Sequence, residues 1–417
     1  MAIVFGMAWQ IVPPTLVLAA DAPAAKAPSK VRLRDRIPYG WKPVDYLGVD
    51  VDDPIDRLRK RIDAGETRLR LEQPGGLLRS FLSELKIPIS SQVLVFSKTA
   101  VNHRLIKPSH PRSIYFNDNV YVGWVPGAKT LEIASVDPQK GSLFYTWSQR
   151  GDAEVRPIRD DGCLTCHASS STLQVPGLMV RSFETDATGR PTAGFSEISH
   201  DTELAKRWGG WYVTGRHGRQ THLGNHFGRE QNAKYKDDPT FGGNLTETAD
   251  LFDSTEYLSP HSDLVAHLVL NHQTHAHNLI TRVNFEHRLN LKSDAEDLLF
   301  RYMLFVDETT LTEPVSGTTD YAGWFEKQGK LDKQGRSLRQ LDLKTRLLKH
   351  RLSYLVYTES FDSLPKPVKN RFYKRLWSFL KGENLDEDFE KIPQRERDAI
   401  LEILRATKPG LPESWRK

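Results

Sequence analysis

Apolar and polar positions change their spacing along this chain in a way that divides it into regions. From residue 31 to about 90, extended and helical signals alternate. In DDPIDRLRKRIDAG, Asp53 is placed as an N-cap, Pro54 in the first turn, Ile55, Leu58 and Ile62 on one face, and Gly65 as the stop, which predicts a helix. LLRSFLSELKIP predicts a second, ended by Pro88. Between 91 and 149 the pattern becomes short β-branched and aromatic runs (QVLVFSK, SIYFND, VYVGWVPG, TLEIASVD, SLFYTWSQ) separated by Asn, Asp, Pro and Gly, which predicts an antiparallel sheet.

The stretch from 161 to about 250 is rich in Gly and His and weakly periodic, so its shape is expected to follow a bound group more than regular elements. After Pro260 helical spacing dominates. SDLVAHLVLNHQTHAHNLITRVNFEHRL, LDLKTRLLKHRLSYLVYTESF, KPVKNRFYKRLWSFLKG and PQRERDAILEILRATKPG each read as helices, while the polar segment 315–337 reads as a loop. The expected class is α+β: a β-rich N-terminal half, an irregular middle and a mainly helical C-terminal half. The expected division is 31–160, 161–260 and 261–417, with 31–417 able to form one unit.

Composition narrows the class. The 417 residues carry ordinary apolar and charged fractions and a formal net charge of +5, with basic and acidic residues interleaved. No basic block with interleaved aromatics argues for nucleic acid, whereas an acidic redox partner or an anionic membrane surface suits the balance. The first twenty residues are apolar and uncharged and lead into DAPAAKAPSK, which reads as a cleaved export signal (1–20) and a linker (21–30), placing the mature chain in the periplasm or otherwise outside the cytoplasm. No Lys or Arg precedes the apolar run, which departs from the usual signal pattern. No Walker loop, GxGxxG, HExxH or GxSxG is present.

The only two cysteines lie in DDGCLTCHASS. Cys163, Leu164, Thr165, Cys166 and His167 form C-x-x-C-H, the attachment signature of one covalent haem c. Two thiols three residues apart on a turn can each add to a vinyl group of the porphyrin, and the next residue then offers its imidazole to the iron as proximal ligand. A thioredoxin-type redox pair, a small-loop disulfide, and a zinc site completed by His217 and His222 are the competing readings.

At those five residues the chain resembles c-type cytochromes. Small mono-haem cytochromes hold the motif near the mature N-terminus, whereas here about 140 mature residues precede it and about 250 follow. FNDNVYVGWVPG, FYTWSQ, RWGGWYVTGRHG, HLGN and NHQTHAHN make residues 110–417 similar to a group of larger, uncharacterised exported mono-haem proteins. That resemblance implies the haem and carries no established activity.

The second axial position separates the functional readings. In RWGGWYVTGRHGRQTHLGNHF, glycines allow close approach to a flat ring, Trp211 can pack on its edge, and His222 or His217 can reach the iron. Met179 stands behind them as a candidate. Arg207 and Arg216 are candidate partners of the haem carboxylates. His267, Asn271 and His275 share one helix face that either lines the pocket or is satisfied by neighbouring helices. The leading expectation is an electron carrier between redox proteins. The alternatives are a haem enzyme of peroxidase type or acting on small nitrogen or oxygen species, and a haem-based sensor or complex subunit.

Overall fold

The β-branched and aromatic runs pair as expected. In the computed structural model, which describes residues 29–149, 156–383 and 385–416, the central element is a seven-stranded antiparallel sheet. The strands are β1 (Ser29–Lys30), β2 (Val93–Val95), β3 (Arg112–Phe116), β4 (Val120–Trp124), β5 (Thr130–Asp137), β6 (Gly141–Ser148), β7 (Ile158–Arg159), β8 (Arg181–Thr185), β9 (Pro191–Glu197), β10 (Trp211–Tyr212) and β11 (Leu291–Lys292). The large sheet runs β10-β2-β3-β4-β5-β6-β7, β8 pairs with β9, and β1 with β11. Helices are α1 (Pro54–Asp63), α2 (Leu78–Glu84), α3 (Leu164–His167), α4 (Gly228–Asp237), α5 (Leu264–Arg288), α6 (Ala295–Met303), α7 (Tyr321–Lys327), α8 (Glu359–Asp362), α9 (Lys366–Lys381), α10 (Glu387–Glu390) and α11 (Gln394–Thr407). The fold is α+β, with the antiparallel sheet in the N-terminal half and helices in the C-terminal half. The expected signal segment and residues 21–28 of the linker lie outside the described residues. Among the described residues, no helix is long and apolar enough to cross a membrane.

Side chains alternate across a strand, so register decides what each face of the sheet covers. Tyr115, Val122, Ile133 and Tyr145 form one cross-strand row and pack with α1 and α2 in an N-terminal core. On the opposite face, Phe116, Tyr121 and Val136 belong to a second core built on α5 and the C-terminal helices.

The 25-residue α5 is buried along nearly its whole length although it is rich in His, Asn, Gln and Thr. Buried polar groups need partners, and α5 finds them in the surrounding loops. Asn278 donates to Leu178 O and accepts from Leu178 N. Gln273 donates to Asn117 O and to the Tyr121 hydroxyl. Arg282, fully buried, pairs with Glu286 and donates to the carbonyls of Arg32, Asp35 and Leu173, drawing the N-terminal segment and the chain after the cysteine motif onto one helix.

Two expectations for the C-terminal half need correction. LDLKTRLLKHRLSYLVYTESF is not one helix: Asp342 Oδ1 accepts from the backbone N–H of Lys344 and Thr345, and Leu341 bridges to Leu348, leaving a tight loop before a 3₁₀ turn at Tyr354–Tyr357 and α8. A side-chain acceptor that captures the N–H groups ahead of it competes with the helix despite the apolar spacing. Conversely, the polar segment 315–337 contains α7, which buries Tyr321 and Phe325.

Asp263 joins these parts at the start of α5. One carboxylate oxygen caps Val265 and Ala266 N–H, and the other accepts from Thr318 N, Thr319 N and the Thr319 hydroxyl. Asp263→Ala would leave five donors, two of them buried and three partly buried, without an acceptor, so a loss on the order of 3 kcal/mol is expected in denaturant unfolding. A loss below about 1 kcal/mol would show that the cap does not anchor the helix.

Candidate functional site

The cysteine motif folds as a 3₁₀ turn at Asp161–Cys163 that runs into α3. Asp160 starts it by accepting from Gly162 N–H at 3.0 Å. Helical spacing brings positions i, i+3 and i+4 to one side, and Cys163, Cys166 and His167 all line a single cavity of about 460 Å³. Both cysteines are free thiols. Burial, reinforced by Asp160 and Glu132, pushes the Cys163 thiol up to about 11. It is therefore protonated at neutral pH, unlike the depressed thiol of a redox-active pair.

His167 Nδ1 lies 2.9 Å from the Gly177 carbonyl, which can only accept, so Nδ1 carries the proton and the ring's lone pair sits on Nε2. Burial pushes the imidazole down to about 4, keeping it neutral well into acid. A fixed tautomer held by a backbone carbonyl is the arrangement a metal-ligating histidine requires. Phe144 packs on the ring with centroids 4.6 Å apart.

One wall of the cavity is the face of the sheet opposite the N-terminal core. Ile114, Gly123, Glu132 and Thr146 form one cross-strand row, and Tyr121, Ala134 and Phe144 lie in the next. Leu178, Met179, Val180, Trp211, Leu270 and Thr274 form the other side. Gly123 stands mid-strand because the Arg112 guanidinium lies across it, in space a methyl group would occupy. Arg112 reaches Glu132 at 2.8 Å, and Asn102 donates to the other Glu132 oxygen from its backbone and its side chain. Arg112 Nε is buried with no hydrogen-bond partner, a donor held in reserve beside the cavity.

These residues fit a flat, tethered, carboxylate-bearing macrocycle. One largely apolar cavity is lined by two thiols, an imidazole whose Nε2 keeps its lone pair, and a guanidinium. Cys163 and Cys166 would tether the group, His167 would ligate its iron, and Arg112 would face a carboxylate.

Trp211 lines the cavity, with its indole N–H bound to Arg181 O at 2.8 Å. Met179 lines it too. The other expected pocket residues are placed elsewhere. Arg207 is buried against the carbonyls of His200 and Thr202, and Arg216 is exposed. His217 and His222 pack on each other, 4.9 Å between centroids, with His222 against Trp208, and neither lines the cavity. Their chemistry also argues against iron: Asn244 N–H donates to His217 Nε2 and Gly224 N–H to His222 Nδ1, so each neutral ring carries its proton on the remaining nitrogen.

The zinc reading needs the cysteine and histidine pairs to converge, and among the described residues no group of three or more His, Cys, Asp or Glu side chains could hold a metal ion. His267 and Asn271, expected to line a pocket or be satisfied internally, are partnered inside the core by Tyr212 O and the Trp208 indole. Arg112, Glu132 and Phe144 were not anticipated, although the isolated glycine within VYVGW was the signal that something approaches the strand there.

No protein-family model matches this chain, and neither does any curated protein or solved structure. The site therefore stands on its own chemistry.

If Gly123 is needed to let Arg112 lie on the sheet, Gly123→Ala will push the guanidinium off Glu132 and lower unfolding stability by about 1–3 kcal/mol. In an Arg112→Ala background the same change should cost little. Equal losses in both backgrounds would show that the glycine serves the strand alone.

Proposed function

We propose that this chain is an exported mono-haem c-type protein that carries single electrons between redox partners. Its one haem would be bound covalently by Cys163 and Cys166 and ligated by His167. The observation that carries the reading is the convergence of both thiols and the free lone pair of His167 Nε2 on one largely apolar cavity.

The haem supplies a one-electron couple at its iron. The protein's part is to hold and shield it. The Gly177 carbonyl fixes the imidazole, the row from Ile114 to Thr146 excludes water from one side, and the Arg112–Glu132 pair supplies compensated charge at the polar end.

Met179, which lines the cavity, would be the side chain best suited to supply a second ligand to the group. The cavity-lining tyrosine hydroxyls are engaged, Tyr145 with Asp53 and Tyr121 with Gln273, and the histidine candidates lie outside the cavity. Thioether ligation favours the reduced iron and suits a carrier. A second reading, an enzyme acting on small nitrogen or oxygen species, is supported by the same Arg112–Glu132 pair, which puts polar charged groups on the lining of the cavity.

Two experiments test this. In a host with periplasmic haem-attachment machinery, Cys163→Ser and Cys166→Ser should each reduce or abolish haem staining on a denaturing gel, and covalent haem unchanged in both would overturn the assignment. The reduced wild-type protein should ignore carbon monoxide, while Met179→Leu should bind it and shift its absorption bands. Carbon monoxide binding by the wild type would replace the carrier with the enzyme reading.

A further inference from the structure

Beyond the cavity, the core holds a second chain of ionisable groups that none of the roles above uses. His200 Nδ1 lies 2.8 Å from His272 Nδ1 and His272 Nε2 lies 2.8 Å from the Ser353 hydroxyl, while Asp201 Oδ1 lies 2.7 Å from His200 Nε2 without the alignment of a hydrogen bond, which leaves that buried nitrogen unpartnered. The two imidazoles and the serine are buried, while the Asp201 side chain is 38% exposed. Tyr302 stacks on His200 with centroids 3.8 Å apart, and Phe305 stacks on both imidazoles.

Turning the Asp201 carboxyl onto His200 Nε2, 2.7 Å away, completes the chain in either of two arrangements. With Asp201 ionised, His200 Nε2–H faces the carboxylate, His272 Nδ1–H donates to His200 Nδ1, and the Ser353 hydroxyl donates to His272 Nε2. With Asp201 protonated and facing His200 Nε2, every proton shifts sides: His200 Nδ1–H donates to His272, and His272 Nε2–H to Ser353 Oγ. Both rings are neutral in each arrangement. One proton is thus held without a bare imidazolium in the core, which burial strongly disfavours at His200 and His272.

Helix α5 connects this chain to the cavity. Thr274 lines the cavity, His272 belongs to the chain, and His275, next to Thr274 on the same helix, shares a small chamber with it. That chamber of about 70 Å³, space for roughly two waters, is walled by His275 and by Leu178, Met179, Val180 and Thr274, which also line the cavity. The His275 ring lies 4.8 Å from Tyr302, which covers His200.

We propose that the Asp201–His200–His272–Ser353 chain takes up one proton when the cavity gains one electron, making the potential of the bound group dependent on pH. This rests on the haem reading above. The electron comes from an external one-electron donor protein and the proton from solvent at Asp201; oxidation by an acceptor returns both. The added negative charge in the cavity tightens the carboxylate's hold on the proton.

Other ionisable groups face the chain. Arg207 comes from the same loop, His275 and His277 from α5, Arg301 and Tyr302 from α6, and Asp307 and Glu308 from the loop that follows. Burial raises Asp201 to about 6 and Glu308 to about 7, so these two carboxyls are the competing proton acceptors near neutrality.

The test is a spectroelectrochemical titration of the haem-loaded protein from about pH 5 to 8. The wild-type midpoint potential should fall as pH rises around and above 6. Asp201→Asn should flatten that dependence and Glu308→Gln should keep it. A flat wild-type profile, a slope that survives Asp201→Asn, or one lost in Glu308→Gln would overturn the proposal.

Should Asp201→Asn not fold, photoreduction of the wild type with a pH-indicator dye decides the matter. Uptake approaching one proton per electron near pH 6 supports the chain, and no uptake overturns it. A denaturing gel without covalent haem would overturn the haem reading first, by a result distinct from any of these.

Discussion

A sheet that is apolar on both faces must be covered on both, and the rest of this molecule is arranged by how that is done. The row Tyr115, Val122, Ile133 and Tyr145 is sealed by the N-terminal helices. The opposite face is covered by α5 only in part, which leaves a slot between the sheet and the segment 178–180. The cysteine motif lies at that slot because β7 returns the chain to the sheet edge immediately before it, and because Gly177 and Leu178 are fastened to His167 and Asn278 after it.

Covering the sheet with so polar a helix has a second consequence. Eight of the fourteen histidines are buried, so most imidazoles here are held neutral by desolvation and act as directional hydrogen-bonding groups. Their tautomers are set by their neighbours, and this divides them by role. His167 gives its proton to a carbonyl and keeps a lone pair on Nε2, whereas His217 and His222 accept backbone N–H groups and retain a proton on the other nitrogen. Three histidines that look equivalent in the sequence thus differ: one keeps an unbonded Nε2, and two use a ring nitrogen to accept a backbone N–H.

Much of this organisation was legible beforehand where local physics suffices. Alternation over 91–149 located the strands, the caps and stops around Asp53 and Gly382 located α1 and α9, and the cysteine spacing marked the turn whose Cys163, Cys166 and His167 line one cavity. What failed depended on hydrogen bonds, near and far in the chain, that spacing and composition do not show. His217 and His222 among glycines resembled a ligand pair, yet each uses one ring nitrogen to accept a backbone N–H from a loop, which no periodicity reveals. Arg207 was placed at the site by charge alone and is instead held by carbonyls within its own loop. Arg112 and Glu132 became neighbours only through the register of β3, β4 and β5. The apolar spacing after residue 340 pointed to a helix that Asp342 prevents.

The central claim is that one haem is attached through both cysteines. Its most direct test is the intact mass of protein produced with haem-attachment machinery, together with thiol alkylation under denaturing conditions. The account predicts a single species heavier than the chain by one haem, with neither Cys163 nor Cys166 alkylated. A haem-free mass with both thiols alkylated would contradict it.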